Sequence, residues 1–205
     1  MRRLRIGLLG GSFNPAHAGH LHISRLALQR LGLHYVWWLV SPQNPLKPEH
    51  GMAPLAERLR GAVLTARRHP RIRVSAIEAR LGTRYTVDTL AALRRHFPAT
   101  RFVWLMGADN LAQMPRWHRW SRIFHLAAIA VFARGSYVMN ALAGPAAKRF
   151  RHFRVSPRAA HRLASKPRPA WAFLPTPLSP VSATAIRAGR GKGKRQEQAF
   201  NDRRS

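Results

Sequence analysis

Short apolar runs alternate with longer amphipathic stretches along most of this chain, and this order constrains the fold more than any other feature. Apolar, β-branched and aromatic runs predict strands at 4–9, 34–40, 71–77, 101–107, 126–134 and 170–176. Helical patterns are found at 19–32, 54–68, 86–97 and 115–124, with a further helix start at 179–189. Strands that alternate with helices predict an α/β fold, an open parallel sheet with helices on both faces.

The chain divides into a predicted domain over residues 1–189 and a basic tail over 190–205. A length of 205 residues is enough for one α/β domain with a substantial core. Between 135 and 168 the pattern is weak, so we expect short helices and loops there. The tail is polar and lacks periodicity, which predicts disorder.

The charge of the chain is strongly positive, with 36 Lys and Arg against 7 Asp and Glu and a net charge of +29. Such a charge attracts polyanions, so an RNA- or DNA-binding protein is one hypothesis. The bases include 31 Arg and are spread along the chain, so they identify no single nucleic-acid-binding element. The few acids nearly exclude a carboxylate-rich metal site.

The chain contains no cysteine, which excludes disulfides, thiolate metal sites and a cysteine nucleophile. Its longest apolar runs are too short for a membrane span, and its N-terminal apolar stretch is too short for a secretory signal. We therefore expect a soluble cytoplasmic protein without a membrane partner.

The stretch LLGGSFNPAHAGHLHI, residues 8–23, places a glycine pair after the first predicted strand and two histidines at the start of the next helix. His17 and His20 could bind a metal or a phosphate, or could be a chance pair among 11 histidines. Metal binding is disfavoured because no acid lies nearby and the spacing is not that of a metalloprotease helix. A glycine turn before a helix N-terminus favours an oxyanion, to which imidazoles can donate hydrogen bonds.

Small and polar residues follow most of the predicted strands. In a parallel sheet these strand ends meet at one edge, where ligands of such folds bind. They include glycines, hydroxyls, an acid and an arginine, a set that suits a nucleotide, found at 10–12, 41–42, 107–109 and 134. Asp109 is suited to accept a hydrogen bond from a ribose hydroxyl, or to act as a helix N-cap. Thr86 is the candidate N-cap of the helix at 86–97.

Two motifs resemble the signatures of the HxGH nucleotidylyltransferases. GGSFNPAHAGH, residues 10–20, resembles the first signature, in which a Gly-Gly-[Ser/Thr]-Phe-[Asp/Asn]-Pro turn leads into the two histidines. VSATAIR, residues 181–187, resembles the second, a Ser-x-[Ser/Thr]-x-[Ile/Leu]-Arg helix start. The resemblance implies a Rossmann-like sheet and favours phosphate as the partner of the histidines.

Two middle segments narrow the resemblance to one family. RYTVDTL, residues 84–90, and GADNLAQMPRWHRW, residues 107–120, resemble segments of the bacterial nicotinate-nucleotide adenylyltransferases. Phosphopantetheine adenylyltransferases and glycerol-phosphate cytidylyltransferases share the first signature and lack these segments. The resemblance, over residues 5 to about 189, implies adenylyl transfer from ATP to nicotinate mononucleotide in NAD biosynthesis, with Mg²⁺ held mainly through the ATP phosphates.

The resemblance also implies which residues form the site. The residues implied in catalysis are His17, His20 and Arg187. Those implied in ATP binding are Gly10, Gly11, Ser12, Phe13, Gly107, Asp109, Ser182 and Thr184, and Arg134 is a further candidate because it ends a predicted strand. Those implied in binding nicotinate mononucleotide are Thr86, Trp117 and His118, and Lys47 is a further candidate because it lies in the Pro-rich loop, from which it could reach the phosphate. Trp117 is expected to stack on the pyridine ring, with core packing as the alternative.

Three alternatives stay open at this point. Within the class, the acceptor could be nicotinamide mononucleotide, or the chain could be another HxGH nucleotidylyltransferase. In another class, the chain could be a basic RNA-binding protein on the same scaffold, and non-specific nucleic-acid contact is expected from its charge. The oligomeric state and any closure of the Pro-rich loop at 41–53 do not follow from the sequence.

Overall fold

The computed structural model describes residues 3–42, 51–133 and 138–176. These residues form a seven-stranded parallel sheet in the order β3-β2-β1-β4-β5-β7-β6. The strands are β1 Arg5–Gly11, β2 Tyr35–Val40, β3 Ile72–Ser75, β4 Arg101–Gly107, β5 Ala128–Phe132, β6 Arg154–Val155 and β7 Trp171–Leu174. The predicted fold class, a Rossmann-like open parallel sheet, is confirmed.

Helices cover both faces of this sheet. They are α1 Ala18–Arg30, α2 Leu55–Ala66, α3 Ile77–Leu81, α4 Thr86–His96, α5 Ala108–Gln113, α6 Trp120–Leu126, α7 Val138–Ala143 and α8 Pro145–Arg149. Short 3₁₀ segments lie between α5 and α6, at Met114–Arg116, and after α8, at Arg151–Phe153 and Pro157–Ser165. No helix in the described ranges is long and apolar enough to cross a membrane.

The core is split into two apolar layers by the pleat of the sheet. Successive strand residues face opposite sides, so Leu8 packs in the layer with α4 and α6 and Leu9 in the layer with α1 and α2. Two of the largest buried side chains also pair their polar atoms. Trp38 Nε1 donates to Ser24 Oγ at 2.7 Å and Trp171 Nε1 donates to the Phe150 carbonyl at 2.8 Å. Both layers therefore exclude water without leaving these indoles unpaired.

The strand order reverses between β1 and β4, which are neighbours at the centre of the sheet. The chain moves outward from β1 to β2 and β3, then returns to place β4 on the other side of β1. Loops that follow two such strands leave in opposite directions, so a crevice opens at their carboxyl ends. Gly11 and Gly107, the last residues of the two strands, therefore lie at the mouth of this crevice.

Most predicted elements are present, with differences at their ends. The stop predicted at Gly32 is confirmed, since this residue has φ 59° directly after the C-cap Leu31. The prediction of Thr86 as an N-cap is wrong: Tyr85 occupies that position with an extended backbone, and Thr86 is the first helical residue. The helix predicted at 115–124 starts only at Trp120, because Arg119 adopts φ 45° and interrupts it.

Three elements were not predicted, α3, α5 and β6. The two helices have five and six residues and the strand has two, so none is long enough to show a periodicity. The predicted helix start at 179–189 and the basic tail at 190–205 lie outside the described residues. The boundary at 189 therefore stays a prediction.

Candidate active site

A cavity of about 290 Å³ lies in the crevice at the carboxyl ends of β1 and β4. Eight residues predicted from the sequence line it together: Gly10, Gly11, His20, Thr86, Gly107, Asp109, Trp117 and His118. They come from four separate parts of the chain, which the parallel sheet brings to one edge. The volume of the cavity is close to the lower end of the range for small-molecule sites in proteins.

The other predicted residues are placed differently. His17, Ser12 and Phe13 are described but do not line this cavity, and they lie in or beside its glycine turn. Five predicted residues lie outside the described ranges: Lys47, Arg134, Ser182, Thr184 and Arg187. Their roles stay predictions.

The glycine turn is shaped by close packing and by a strained residue. A Cβ at Gly10 would lie 2.5 Å from Cη2 of Trp104, so only glycine fits where this strand passes the indole. Phe13 adopts φ 48°, a rare conformation for a bulky residue, and its ring is 1% exposed. The ring stacks on Trp38 and contacts His20, with centroids 5.1 and 4.6 Å apart. The strain is therefore held by buried ring packing.

The two signature histidines cap the helix that they begin. His17 Nδ1 accepts from the Gly19 amide at 3.1 Å, and His20 Nδ1 accepts from the His17 amide at 3.1 Å. A neutral imidazole that accepts at Nδ1 carries its proton on Nε2. The caps therefore set both rings as Nε2–H donors. His20 lines the cavity. The rings of His17 and His20 are in contact, with their centroids 3.9 Å apart.

Two buried polar atoms in the cavity wall have no partner among the described residues, Asp109 Oδ1 and Trp104 Nε1. A buried polar group left unpaired costs about 1–3 kcal/mol, so such atoms are candidates for ligand contact. The N-cap of α5 is Gly107, and Asp109 is the second residue of the helix. The alternative of Asp109 as an N-cap is therefore wrong, and its role toward a ribose hydroxyl stays a prediction.

The opposite wall joins the start of α4 to the segment that precedes α6. Tyr85 and His118 bring these segments together, with ring centroids 4.5 Å apart. Trp117 is half-buried and packs against the core, as the alternative predicted, and it also lines the cavity; its stacking on the pyridine ring stays a prediction. Arg84 and Arg116 lie next to these residues in sequence, line the same cavity and are exposed. Sequence reasoning missed both arginines, which do not stand out among 31.

Glu78 is a buried acid that sequence reasoning also missed. It lines the cavity and is 6% exposed. Thr89 Oγ1 donates to its Oε1 at 3.2 Å, and the Ser41 side chain is a second hydrogen-bond partner. Burial raises the pKa of Glu78, and these two hydrogen bonds oppose the shift. The scarcity of acids was the signal that could have identified it.

No group of three or more metal-binding side chains is found within 3–42, 51–133 and 138–176. The histidine pair has no third metal-binding side chain beside it in these ranges. The imidazole donors, the glycine turn and the N-terminus of the 13-residue α1 together suit an oxyanion.

Comparisons with known proteins agree on one family. A sequence model described as cytidylyltransferase-like matches residues 8–189. A protein of Parvibaculum lavamentivorans named probable nicotinate-nucleotide adenylyltransferase is 57% identical over 184 residues, 90% of this chain and 91% of that protein. A protein of the same name from Ruegeria pomeroyi is 50% identical over 192 residues, 94% of this chain and 89% of that protein.

Solved structures support the fold. The nicotinic acid mononucleotide adenylyltransferase of Plasmodium falciparum, complexed with NaAD, matches with a TM-score of 0.66 over 90% of this chain and 83% of that one. The two sequences are 14% identical, so this similarity concerns the architecture alone.

Proposed function

This chain belongs to the cytidylyltransferase-like family and, within it, to the nicotinate-nucleotide adenylyltransferases, and from that premise we propose that it transfers the adenylyl group of ATP to nicotinate mononucleotide. A phosphate oxygen of the mononucleotide attacks the α-phosphorus of ATP. The bond between the α-phosphorus and the α,β-bridging oxygen breaks, and pyrophosphate leaves with that electron pair. The products are deamido-NAD and pyrophosphate, a step of NAD biosynthesis.

The reaction needs little acid–base chemistry from the protein. A phosphomonoester loses its second proton with a pKa of about 6, so the attacking oxygen is already ionised at neutral pH. The remaining requirements are alignment of the two substrates and neutralisation of charge on the transferred and leaving groups. A cavity lined by donors and a helix N-terminus, with few acids, supplies both.

The glycine turn and His20 form the proposed phosphate side of the site. The Nε2–H of His20, fixed by the cap at Nδ1, would donate to an oxygen of the α-phosphate. Main-chain amides at Gly11, Ser12 and Phe13 would approach other phosphate oxygens, aided by the dipole of α1. His17 would support His20 through the cap and the ring contact.

The wall with Trp117 forms the proposed mononucleotide side. Trp117 would stack on the pyridine ring, with Thr86 and the main chain near His118 meeting the ring carboxylate. The exposed guanidinium groups of Arg84 and Arg116 raise the local positive potential, which favours the acid over the amide mononucleotide. Asp109 Oδ1 would accept from a ribose hydroxyl.

Members of this enzyme class generally use Mg²⁺, and the residues present fit an ion held through the substrate. The described residues hold no three-ligand cluster, so ATP phosphate oxygens and water would provide most of the coordination. When bound, the ion neutralises charge on the triphosphate and on the departing pyrophosphate. The chain's own part is to place the triphosphate against the glycine turn.

The observation that carries this proposal is one cavity that joins the signature turn to the wall with Thr86, Trp117 and His118. Product identification tests it. Purified protein with ATP, Mg²⁺ and nicotinate mononucleotide is expected to give deamido-NAD, by mass spectrometry, and one pyrophosphate per dinucleotide. ATP consumption without that dinucleotide would contradict the proposal.

A cluster of arginines at the opposite edge of the sheet favours a second candidate function, nucleic-acid binding. Arg94 Nη1 donates to the His125 carbonyl at 3.3 Å. Arg168 Nη1 donates to the next carbonyl, that of Leu126, at 3.3 Å. Burial, with the charges of Arg94 and Arg101, lowers the pKa of Arg168. Guanidinium groups gathered in this way suit phosphate oxygens.

Salt-dependent RNA binding separates the two candidates. Binding that weakens in an Arg94→Ala/Arg168→Ala variant and survives His20→Ala would support the second function. Absence of RNA binding at about 150 mM salt would remove it and leave the adenylyl transfer untouched.

A further inference from the structure

Arg58, in the first turn of α2, is a buried arginine whose partners among the described residues are all main-chain carbonyls. Its side chain is 4% exposed. Nη1 donates to the carbonyls of Ser12 and Ser41, both at 2.7 Å. Nη2 donates to Pro42 O at 2.9 Å, and Nε donates to Ala53 O at 2.8 Å. No described carboxylate forms an ion pair with it, which is unusual for a buried charge.

These carbonyls belong to three segments at the edge of the candidate site. Ser12 lies in the glycine turn, Ser41 and Pro42 follow β2, and Ala53 precedes α2. The Ser41 amide also donates to the Gly11 carbonyl at 2.9 Å, which ties the end of β2 to the end of β1. One planar guanidinium therefore fixes the relative position of three loops. A lysine, with all its donors on one nitrogen, could not reproduce this fork.

The bond to Ser12 acts directly on the turn that is proposed to receive the phosphates. The Ser12–Phe13 peptide is trans, so its N–H points away from its carbonyl. By holding the Ser12 carbonyl, Arg58 sets the direction of the Phe13 amide. Phe13 is also the strained residue of the turn, at φ 48°, and strain of this kind persists only where neighbouring contacts enforce it.

We propose that Arg58 is a positioning residue for the adenylyl transfer, which holds the Ser12–Phe13 peptide and the end of β2 in the geometry that accepts the ATP triphosphate. Its positive charge lies beside that turn with no carboxylate of the described residues paired to it, and it does not itself touch substrate. The expected changes in kcat rest on the proposed function. The expected change in affinity for an ATP analogue requires only that the protein binds ATP. A purely structural arginine would change the stability of the fold and leave the folded enzyme's turnover unaltered.

Three variants of the full chain test the proposal: Arg58→Lys, Arg58→Ala and, as matched control, Arg60→Ala on the exposed face of the same helix. Turnover per folded molecule, KM for each substrate and the melting temperature are measured for each. Because misplacement of a catalytic turn by about 1 Å costs about 10²-fold in rate, kcat is expected to fall about tenfold in Arg58→Lys and about 10²-fold in Arg58→Ala. KM for the mononucleotide should change less than about twofold.

Two further measurements separate positioning from stability and from the proposed function. Methylguanidinium at millimolar concentration is expected to restore part of kcat in Arg58→Ala and to leave Arg60→Ala unchanged. Affinity for a non-hydrolysable ATP analogue should fall in both Arg58 variants, a result that holds even if wild-type protein makes no deamido-NAD. Wild-type kcat and analogue affinity in Arg58→Lys, or losses that follow only the loss of folded protein, would overturn the proposal.

Discussion

The two sides of the cavity differ in how firmly their atoms are held. On the phosphate side, Phe13, His17 and Arg58 are each at most 9% exposed, and they fix a main-chain turn by ring packing, capping and four carbonyl bonds. On the mononucleotide side, Arg84, Arg116 and His118 are exposed side chains. The phosphate side therefore presents a main-chain turn held by buried contacts, whereas the mononucleotide side presents exposed side chains.

We infer from this difference that the two sides of the cavity have separate roles. The transferred group is the same whatever the acceptor, so the turn that meets it can be rigid and pre-organised. The acceptor is chosen by side chains that can change without disturbing the core. Variants on the phosphate side should therefore act mainly on kcat, and variants on the mononucleotide side mainly on KM and selectivity.

The largest effect is expected from His20→Ala. Removal of a donor to a developing oxyanion costs about 10²–10³ in kcat, and loss of the cap should cost about 1 kcal/mol of unfolding free energy. Steady-state kinetics and urea unfolding measure the two. His22→Ala, on the same helix, is the control and should stay near wild-type turnover. Near-normal turnover in His20→Ala would break the assignment of the phosphate side.

Asp109→Ala is expected to have the next largest effect, with opposite signs for activity and stability. Loss of a hydrogen bond to a charged acceptor, worth about 1.5–3 kcal/mol, should lower kcat/KM by about 10- to 100-fold. The free protein should gain stability, because a buried carboxylate oxygen without a partner among the described residues is removed. Unchanged kcat/KM would show that Asp109 does not hold a substrate hydroxyl.

Arg84→Gln and Arg116→Gln should have smaller effects, confined to the acceptor. An exposed charge contributes about 0.2–1 kcal/mol, so each variant should raise KM for nicotinate mononucleotide by a few-fold and leave KM for ATP unchanged. Added salt should shrink the difference from wild type. Arg80→Gln, also exposed, is the control. A change in KM for ATP alone would reassign these arginines to the triphosphate.

Glu78→Gln should change stability more than turnover. The pKa of Glu78 in the folded protein lies above its ordinary value of 4.5, so the folded state binds this proton more tightly than the unfolded state. Its contribution to the unfolding free energy is fully present below pH 4.5 and is lost as the pH rises through the folded pKa. The Glu78→Gln variant should lose this dependence of the unfolding free energy on pH and be more stable than wild type at neutral pH. Urea unfolding between pH 4 and 8 measures it, with the exposed Glu57→Gln as control. A Glu78→Gln variant with the same pH dependence as wild type would contradict this.

The sequence predicted the parts of the site that local patterns encode. GGSFNPAHAGH gave the turn and His20 because the glycines, the cap and the helix start are neighbours in the chain. Asp109 was predicted because it follows directly on a recognisable strand, and Trp117 because residues 107–120 resemble a segment of the family. The alternating pattern was sufficient for the parallel sheet and both of its helical layers.

The missed residues depend on contacts that local patterns do not show. Arg58 reaches Ser12 across 46 positions, and nothing near Arg58 in sequence marks it among 31 arginines. Trp104 looks like an ordinary core residue of its strand, and its unpaired Nε1 is visible only once the crevice is formed. Thr86 was assigned as a cap from its residue type, whereas the extended backbone of Tyr85 places the start of α4 one residue earlier.

The most direct test of the central claim is the ratio of kcat/KM for nicotinate mononucleotide to that for nicotinamide mononucleotide, with ATP and Mg²⁺ supplied. The two acceptors differ only in the group on the ring, a charged carboxylate or a neutral amide. Arg84 and Arg116 are proposed to favour the carboxylate. The account predicts a ratio of at least about tenfold in favour of the acid, equivalent to about 1.4 kcal/mol. Preference for the amide, or no reaction with either acceptor, would contradict it.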